Sequence, residues 1–176
     1  MNGVSKITIC EEVALVTFCN IQNDLRLTAE IFSKFAKSGI NIDMICQTAP
    51  KGQQIDLSFT LSSNRLVDAL AVAKKFQETH PGLTPMVSSG NAKIQLYGEE
   101  MREMNGVAAA AISALSQTGV ELTLVTTSEV DISLLIAQAH LLEAHDALEK
   151  TFGVCASYEL SSSPKNMNSW QRIEPL

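Results

Sequence analysis

Two polar stretches of this chain carry groups suited to holding a free amino acid. The first places Asn23, Asp24 and Arg26 in a loop, with Asn41, Asp43 and Gln47 on the segment that returns beside it. The second places Glu103, Asn105 and Gly106 in a loop, with Glu121, Thr123, Thr127, Ser128 and Glu129 beyond it. A zwitterion needs donors for its carboxylate, which the free amides of a helix N-terminus supply. Its ammonium needs an anionic acceptor such as Asp43 or Glu129. The plainer alternative is that these are edge and cap residues with no ligand.

Catalytic sets are missing from the sequence. It has no G-x-x-x-x-G-K-[ST] or G-x-G-x-x-G loop to cradle a phosphate. No serine sits in a nucleophile elbow. His140 and His145 are five residues apart, a spacing that does not align them on a helix for a shared metal. Glu99 and Glu100 read as solvated loop residues. No cofactor or metal is expected.

The elements that would position the two loops occur twice. Gly39-Ile40-Asn41-Ile42-Asp43-Met44-Ile45 stands opposite Gly119-Val120-Glu121-Leu122-Thr123-Leu124-Val125, and Ile55 to Phe59 opposite Val130 to Leu134. Internal duplication implies two small units, each covering what the other cannot bury. In the first unit, Ser5 to Cys10 and Ala14 to Cys19 read as two short strands. Leu27, Ile31, Phe32 and Phe35 fall on one helical face, and Gly39 supplies a left-handed stop. Ile40 to Ile45 reads as a buried strand, and Ile55, Leu57, Phe59 and Leu61 alternate as a strand with one wet face. A second helix, Arg65 to Phe76, is expected to turn Leu66, Leu70 and Ala73 inward. Leu83 to Val87 is a candidate fourth strand.

The second unit repeats the plan. Ala92 to Tyr97 opens it, followed by a helix from Gly106 to Thr118 that uses Val107, Ala111, Ile112 and Leu115. Strands at Val120 to Thr127 and Val130 to Ala137 come next, then a helix from Leu141 to Phe152 and a closing strand at Ala156 to Leu160. The order in each unit is βαββαβ, an α+β, ferredoxin-like fold. The spare strand Ser5 to Cys10 is expected to cross into the second sheet and interlock the units. The expected organisation is 11–90 for the first unit, 91–160 for the second and a flexible tail at 161–176, with Trp170 a candidate docking residue.

Composition narrows the function classes. A chain that is 45% hydrophobic and 18% charged is globular. Its net charge of −6, with scattered cations, argues against a nucleic-acid surface. No apolar run is long enough to cross a membrane. Four isolated cysteines in apolar surroundings fit a reduced, cytoplasmic protein. Units this small are expected to pack against each other and against a second copy.

These motifs resemble a known family. Ile40-Asn41-Ile42-Asp43-Met44-Ile45-x-Gln47 resembles the INIDMI-x-Q segment of the first ACT domain of aspartate kinases. Tyr97-Gly98-x-x-Met101-Arg102-x-x-x-Gly106-Val107-Ala108-Ala109 resembles the VG-x-GM…PGV-x-A segment of the second. Thr127-Ser128-Glu129-Val130-x-Ile132-Ser133 resembles its TSEI-x-IS strand. The resemblance runs from about Ser5 to Val154. It implies two interlocked ACT domains, a homodimer built through their sheets, and feedback binding of lysine or threonine. Effector contacts would come from Asn23, Asp24, Arg26, Asn41, Asp43, Gln47, Ala108, Glu121, Leu122, Ser128 and Glu129. The kinase catalytic domain that precedes this region in the family is not found ahead of Met1. The chain is therefore expected to be non-catalytic, like the separate small subunit of some aspartate kinases, with a kinase catalytic subunit as its partner.

The departures bear on ligand choice. Asn23-Asp24-Leu25-Arg26 replaces the family's D-x-PG loop, losing the glycine that lets backbone approach a ligand. Asn105 stands in place of proline, Ala108 in place of threonine and Glu121 in place of asparagine. Arg26 is expected to reach Asp43 and occupy the position of an effector ammonium. The alternative to effector binding is a degenerate ACT scaffold that serves dimerisation or holds a partner enzyme.

Overall fold

Two long strands tie the units together. The computed structural model describes residues 3–159. Leu160 and the 161–176 tail, with Trp170, lie outside the described residues. The two short strands expected before residue 20 are one, β1 (Lys6–Gln22), whose register shifts between Cys10 and Leu15 and again between Phe18 and Ile21. Glu12 (φ 56°) and Asn20 (φ 53°) adopt left-handed backbone there. Such conformations are uncommon outside glycine and need support. Both have it: the Glu12 amide donates to Gln138 Oε1 (3.2 Å) and the Asn20 amide to Asp56 Oδ1 (2.7 Å).

After β1 come α1 (Leu25–Lys37), β2 (Ile45–Gln47), β3 (Gln54–Ser62) and α2 (Leu66–Thr79). Next is β4 (Pro85–Tyr97), which merges the expected fourth strand with the opening strand of the second unit. Then follow α3 (Val107–Ser116), β5 (Leu122–Thr127), β6 (Asp131–Ala137), α4 (Leu141–Phe152) and β7 (Ala156–Tyr158). The strands form one sheet in the order β2-β3-β1-β4-β6-β5, with β7 added on β1.

This order contains the ferredoxin-like plan twice. Residues 13–22 of β1 and 85–91 of β4 complete the first unit with β2 and β3. In the second unit the place beside the opening strand is taken by Lys6 to Cys10, paired antiparallel with Lys93 to Tyr97. The chain's own last strand, β7, is displaced one position outward and runs parallel to Ile7–Ile9. The N-terminal part of β1 thus pairs within the second unit's part of the sheet. Because β1 and β4 are each continuous through both units, neither unit's part of the sheet moves without bending the other.

The helices cover one face over two cores. The first is aromatic: Phe59 packs on Phe35, Phe32 and Phe18 at centroid distances of 4.9, 5.6 and 6.2 Å, and Phe76 meets Phe18 edge-on at 5.9 Å. The second is aliphatic, built on Ile94, Leu134, Ala111, Leu148 and Phe152. On the reverse face, Val13, Leu15, Met44 and Leu135 form a small third cluster. It lies where the edge strands β2 and β5 approach one another.

Three expectations need correction. Ile40 to Met44 is not a ladder strand; only Ile45–Gln47 is. Helix α2 turns Ala69, Val72, Ala73 and Phe76 inward, while Leu70 is exposed. A 3₁₀ turn at Ser63–Arg65 precedes α2, and because the helix also carries the apolar Val67 and Leu70 on its exposed side, spacing alone did not fix its rotation. Ile112 is likewise exposed, since α3, apolar but for Ser113 and Ser116, offers little contrast by which to set its rotation.

Candidate functional site

Asn41 and Asp43 lie on the connection from α1 to β2, which Gly39 (φ 68°) turns out of the helix and across the end of β3. The buried Thr60 of β3 fixes this connection. Its carbonyl accepts from the Asp43 amide (3.0 Å), its hydroxyl from the Met44 amide (2.9 Å), and its own amide donates to Met44 O (3.0 Å). With the backbone held at three points, the Asp43 side chain projects toward the second unit.

There it meets Lys93. This residue stands on β4 opposite Cys10 of β1, within the second unit's sheet, and its Nζ lies 2.5 Å from Asp43 Oδ2. The Lys93 side chain is only 12% exposed and that of Asp43 51%. The pair spans the seam between the units, on the wall of a cavity of about 620 Å³. Asn41, Asp43 and Arg65 of the first unit line it, with Cys10, Lys93 and Glu159 of the second. A hydrogen bond from the Glu159 amide to Ile9 O (2.8 Å) holds Glu159 at the rim. Glu11 adds a third carboxylate, against the two cations Lys93 and Arg65. Burial pushes the Cys10 thiol pKa up from its usual value; the Lys93 charge opposes this, and Glu159, Asp43 and Glu11 reinforce it. The thiol stays neutral, and the cavity favours a cationic or zwitterionic guest with mixed hydrogen-bonding needs.

The other candidate residues lie elsewhere. Asp24 is the N-cap of α1, its carboxylate accepting from the Arg26 amide (2.9 Å), and the Asn23 amide donates to Gln53 O (2.7 Å). This places the loop at the start of β3, whereas Asp43 sits at its end. Seven residues of extended chain, Gln53 to Thr60, separate the two, roughly 23 Å. No side chain covers that span, so Arg26 does not reach Asp43. Lys93 does instead. Gln47 is exposed on edge strand β2, and Glu121 and Leu122 lie at the start of edge strand β5. Ala108 packs half-buried against the second core. Ser128 and Glu129 occupy the β5–β6 turn: the Ser128 amide donates to Asp131 O (2.8 Å), and Glu129 faces Arg102 at 3.6 Å. Within one chain, then, the structure gathers Asn41 and Asp43 into the seam and disperses the rest.

Lys93, Cys10 and Glu159 escaped the sequence reading because they belong to the second unit's sheet, far from the loops in chain order. The lysine among the alternating polar positions of Ala92 to Tyr97 was the available signal. Among the described residues no group of three or more metal-ligating side chains converges. No helix there is long and apolar enough to cross a membrane. His145 is engaged by Asp146 (2.9 Å) and Glu149 (3.1 Å) on α4, a local role away from the seam.

Comparison with known proteins agrees with this architecture. The ACT domain family model matches residues 94–152. The aspartokinase of Geobacillus stearothermophilus is 31% identical over 151 residues, covering 86% of this chain and 36% of that protein. The chain thus spans about a third of the length of the curated relatives it matches. Aspartate kinase from Synechocystis superposes with a TM-score of 0.83 at 28% identity, over 94% of this chain and 28% of that one. The ligand-free regulatory subunit of aspartate kinase from Thermus thermophilus does so with a TM-score of 0.79 at 24% identity, over 86% of this chain and 99% of the subunit. With its α+β sheet plan and its sequence match over most of its length, the chain belongs to the ACT-domain regulatory regions of aspartokinases.

Proposed function

We propose that this chain is a non-catalytic regulatory module that binds an amino acid in the seam and transmits occupancy to an aspartokinase catalytic partner. The effector class is lysine or threonine, as in the family, and the active form is a homodimer through the ACT sheets. The observation that carries this reading is the seam itself. Asp43 from one unit and Lys93 from the other meet on the wall of a cavity with room for an amino acid. A guest whose ammonium competes for Asp43 would loosen that cross-link, and one whose carboxylate engages Lys93 would replace it. Either changes how firmly the units are held, which is the differential affinity a population shift requires.

A thermal-shift panel of the twenty amino acids tests it. An effector at 100 times its dissociation constant stabilises by about 2.7 kcal/mol. For a chain of this size that corresponds to a rise of roughly 5–11 °C. A flat panel, repeated with the catalytic partner present, would reject effector binding.

The scaffold reading rests on a specific observation of its own. The ion pair already satisfies Asp43, and Asp24 is committed to capping α1. In that case the ACT units serve dimerisation and partner contact alone, and Lys93 is a permanent internal substitute for an effector.

A further inference from the structure

A second cavity lies on the helical face of the first unit, between α1 and α2, with a volume of about 440 Å³. Its lining is unlike the rest of this acidic chain: Lys34, Lys37, Arg65 and Lys75 converge on it, against the single carboxylate of Asp68. Lys34 and Lys37 fall in the last turn of α1, where the helix dipole favours cations. That explanation does not extend to α2. Arg65 is its N-cap, the end where the dipole disfavours a cation, and it makes no side-chain capping bond. Asp68 offsets part of this charge at 3.1 Å, and Arg65 Nη2 donates to Ser38 O at 2.8 Å. Arg65 Nε, though buried, has no hydrogen-bond partner, and neither does the buried Ser63 Oγ two residues earlier. Lys34 is held by Glu30 at 3.2 Å, but among the described residues Lys37 and Lys75 form no ion pair.

Two ammonium groups without an ion pair among the described residues, beside a guanidinium only partly offset by Asp68, ring one concavity and suit a multiply charged anion. A single carboxylate would leave most of this charge unmatched. A phosphate group offers several acceptor oxygens and about two negative charges, matching a guanidinium edge and flanking lysines together. We propose that the α1–α2 groove is a binding site for a small phosphate-bearing anion, a cavity distinct from the seam although Arg65 borders both, and independent of the amino-acid reading.

The test is calorimetric titration of the full chain with inorganic phosphate, pyrophosphate and ADP at fixed salt. Arg65 also lines the seam cavity, so the diagnostic variants are Lys37→Glu and Lys75→Glu, with Lys150→Glu on α4 as a charge-matched control and circular dichroism confirming the fold. The expected result is saturable binding of pyrophosphate or ADP, lowered about ten-fold or more by each groove variant, since a charge-assisted hydrogen bond is lost. The control should leave it unchanged. Binding of inorganic phosphate as tight as that of ADP would assign the site to the free anion, and preference for ADP to a phosphorylated metabolite; either supports the proposal. Absence of saturable binding, equal weakening by Lys150→Glu, or binding of an acidic peptide but no phosphate compound would overturn it.

Discussion

Replacing Lys93 with methionine probes the seam directly. Methionine keeps the apolar stem that Lys93 buries along the sheet and removes only the ammonium. The geometry sets the size of the effect. The pair is close, at 2.5 Å, but Asp43 is 51% exposed and rehydrates once its partner is gone. Half-solvated pairs are worth about 1 kcal/mol or less, so the melting temperature should fall by no more than about 4 °C. Asp43 would then be free for an external ammonium, and L-lysine binding should tighten by about 1 kcal/mol, roughly five-fold. If Lys93 is a permanent internal substitute, the variant should instead gain lysine binding that the parent lacks. Thermal unfolding and calorimetry on both chains provide the two readouts. A stability loss of about 3–5 kcal/mol, the cost of breaking a fully buried pair, would refute the solvation argument. Weaker lysine binding than in the parent would refute the competition argument.

Three further predictions concern the frame around the seam. Phe59→Ala removes the ring at the centre of the aromatic core and should cost about 3–5 kcal/mol in urea unfolding. Gly98→Ala would drive a Cβ to 1.9 Å from Gly3 O, a backbone atom that cannot yield without moving the N-terminal strand. It should destabilise by about 1–3 kcal/mol and speed hydrogen exchange at Ile7 and Ile9 before any residue of the first core. Burial raises the Cys10 pKa above its unfolded value, so the folded state favours the neutral thiol. That advantage is intact below the unfolded pKa near 9.0 and is lost as pH climbs toward the folded value. Stability should therefore decline above about pH 9 with a Cys10 component that Cys10→Ala abolishes, and iodoacetamide at pH 8 should alkylate the exposed Cys155 well before Cys10.

The repeat made the fold legible because periodicity and turn residues are local signals. Ile55, Leu57, Phe59 and Leu61 alternate and are all buried, and Gly39 and Gly119 both end helices in left-handed backbone. What sequence could not supply was continuity. Nothing local at Glu12 marks it as a bend within β1 rather than a break, because the side chain that supports it, Gln138, is 126 residues away. Orientation failed where a helix offered little contrast, as with Ile112 on α3 and Leu70 on α2. The site was half readable for the same reason. Asn41 and Asp43 stand in a recognisable segment, but their counterpart Lys93 reaches them only through the register of β4 against β1. Arg26 was the nearer cation in the loop pattern, and the length of β3 puts it out of range.

Amide chemical-shift mapping of the labelled chain during titration with L-lysine and L-threonine reads amino-acid binding at the seam itself. Shifts for at least one ligand should concentrate at Asn41 to Met44, Cys10, Lys93 and Glu159, on both sides of the seam, and saturate together. Shifts confined to Asn23–Leu27 or to the Ser128 turn, or no shifts with either amino acid in both the parent chain and Lys93→Met, would contradict it.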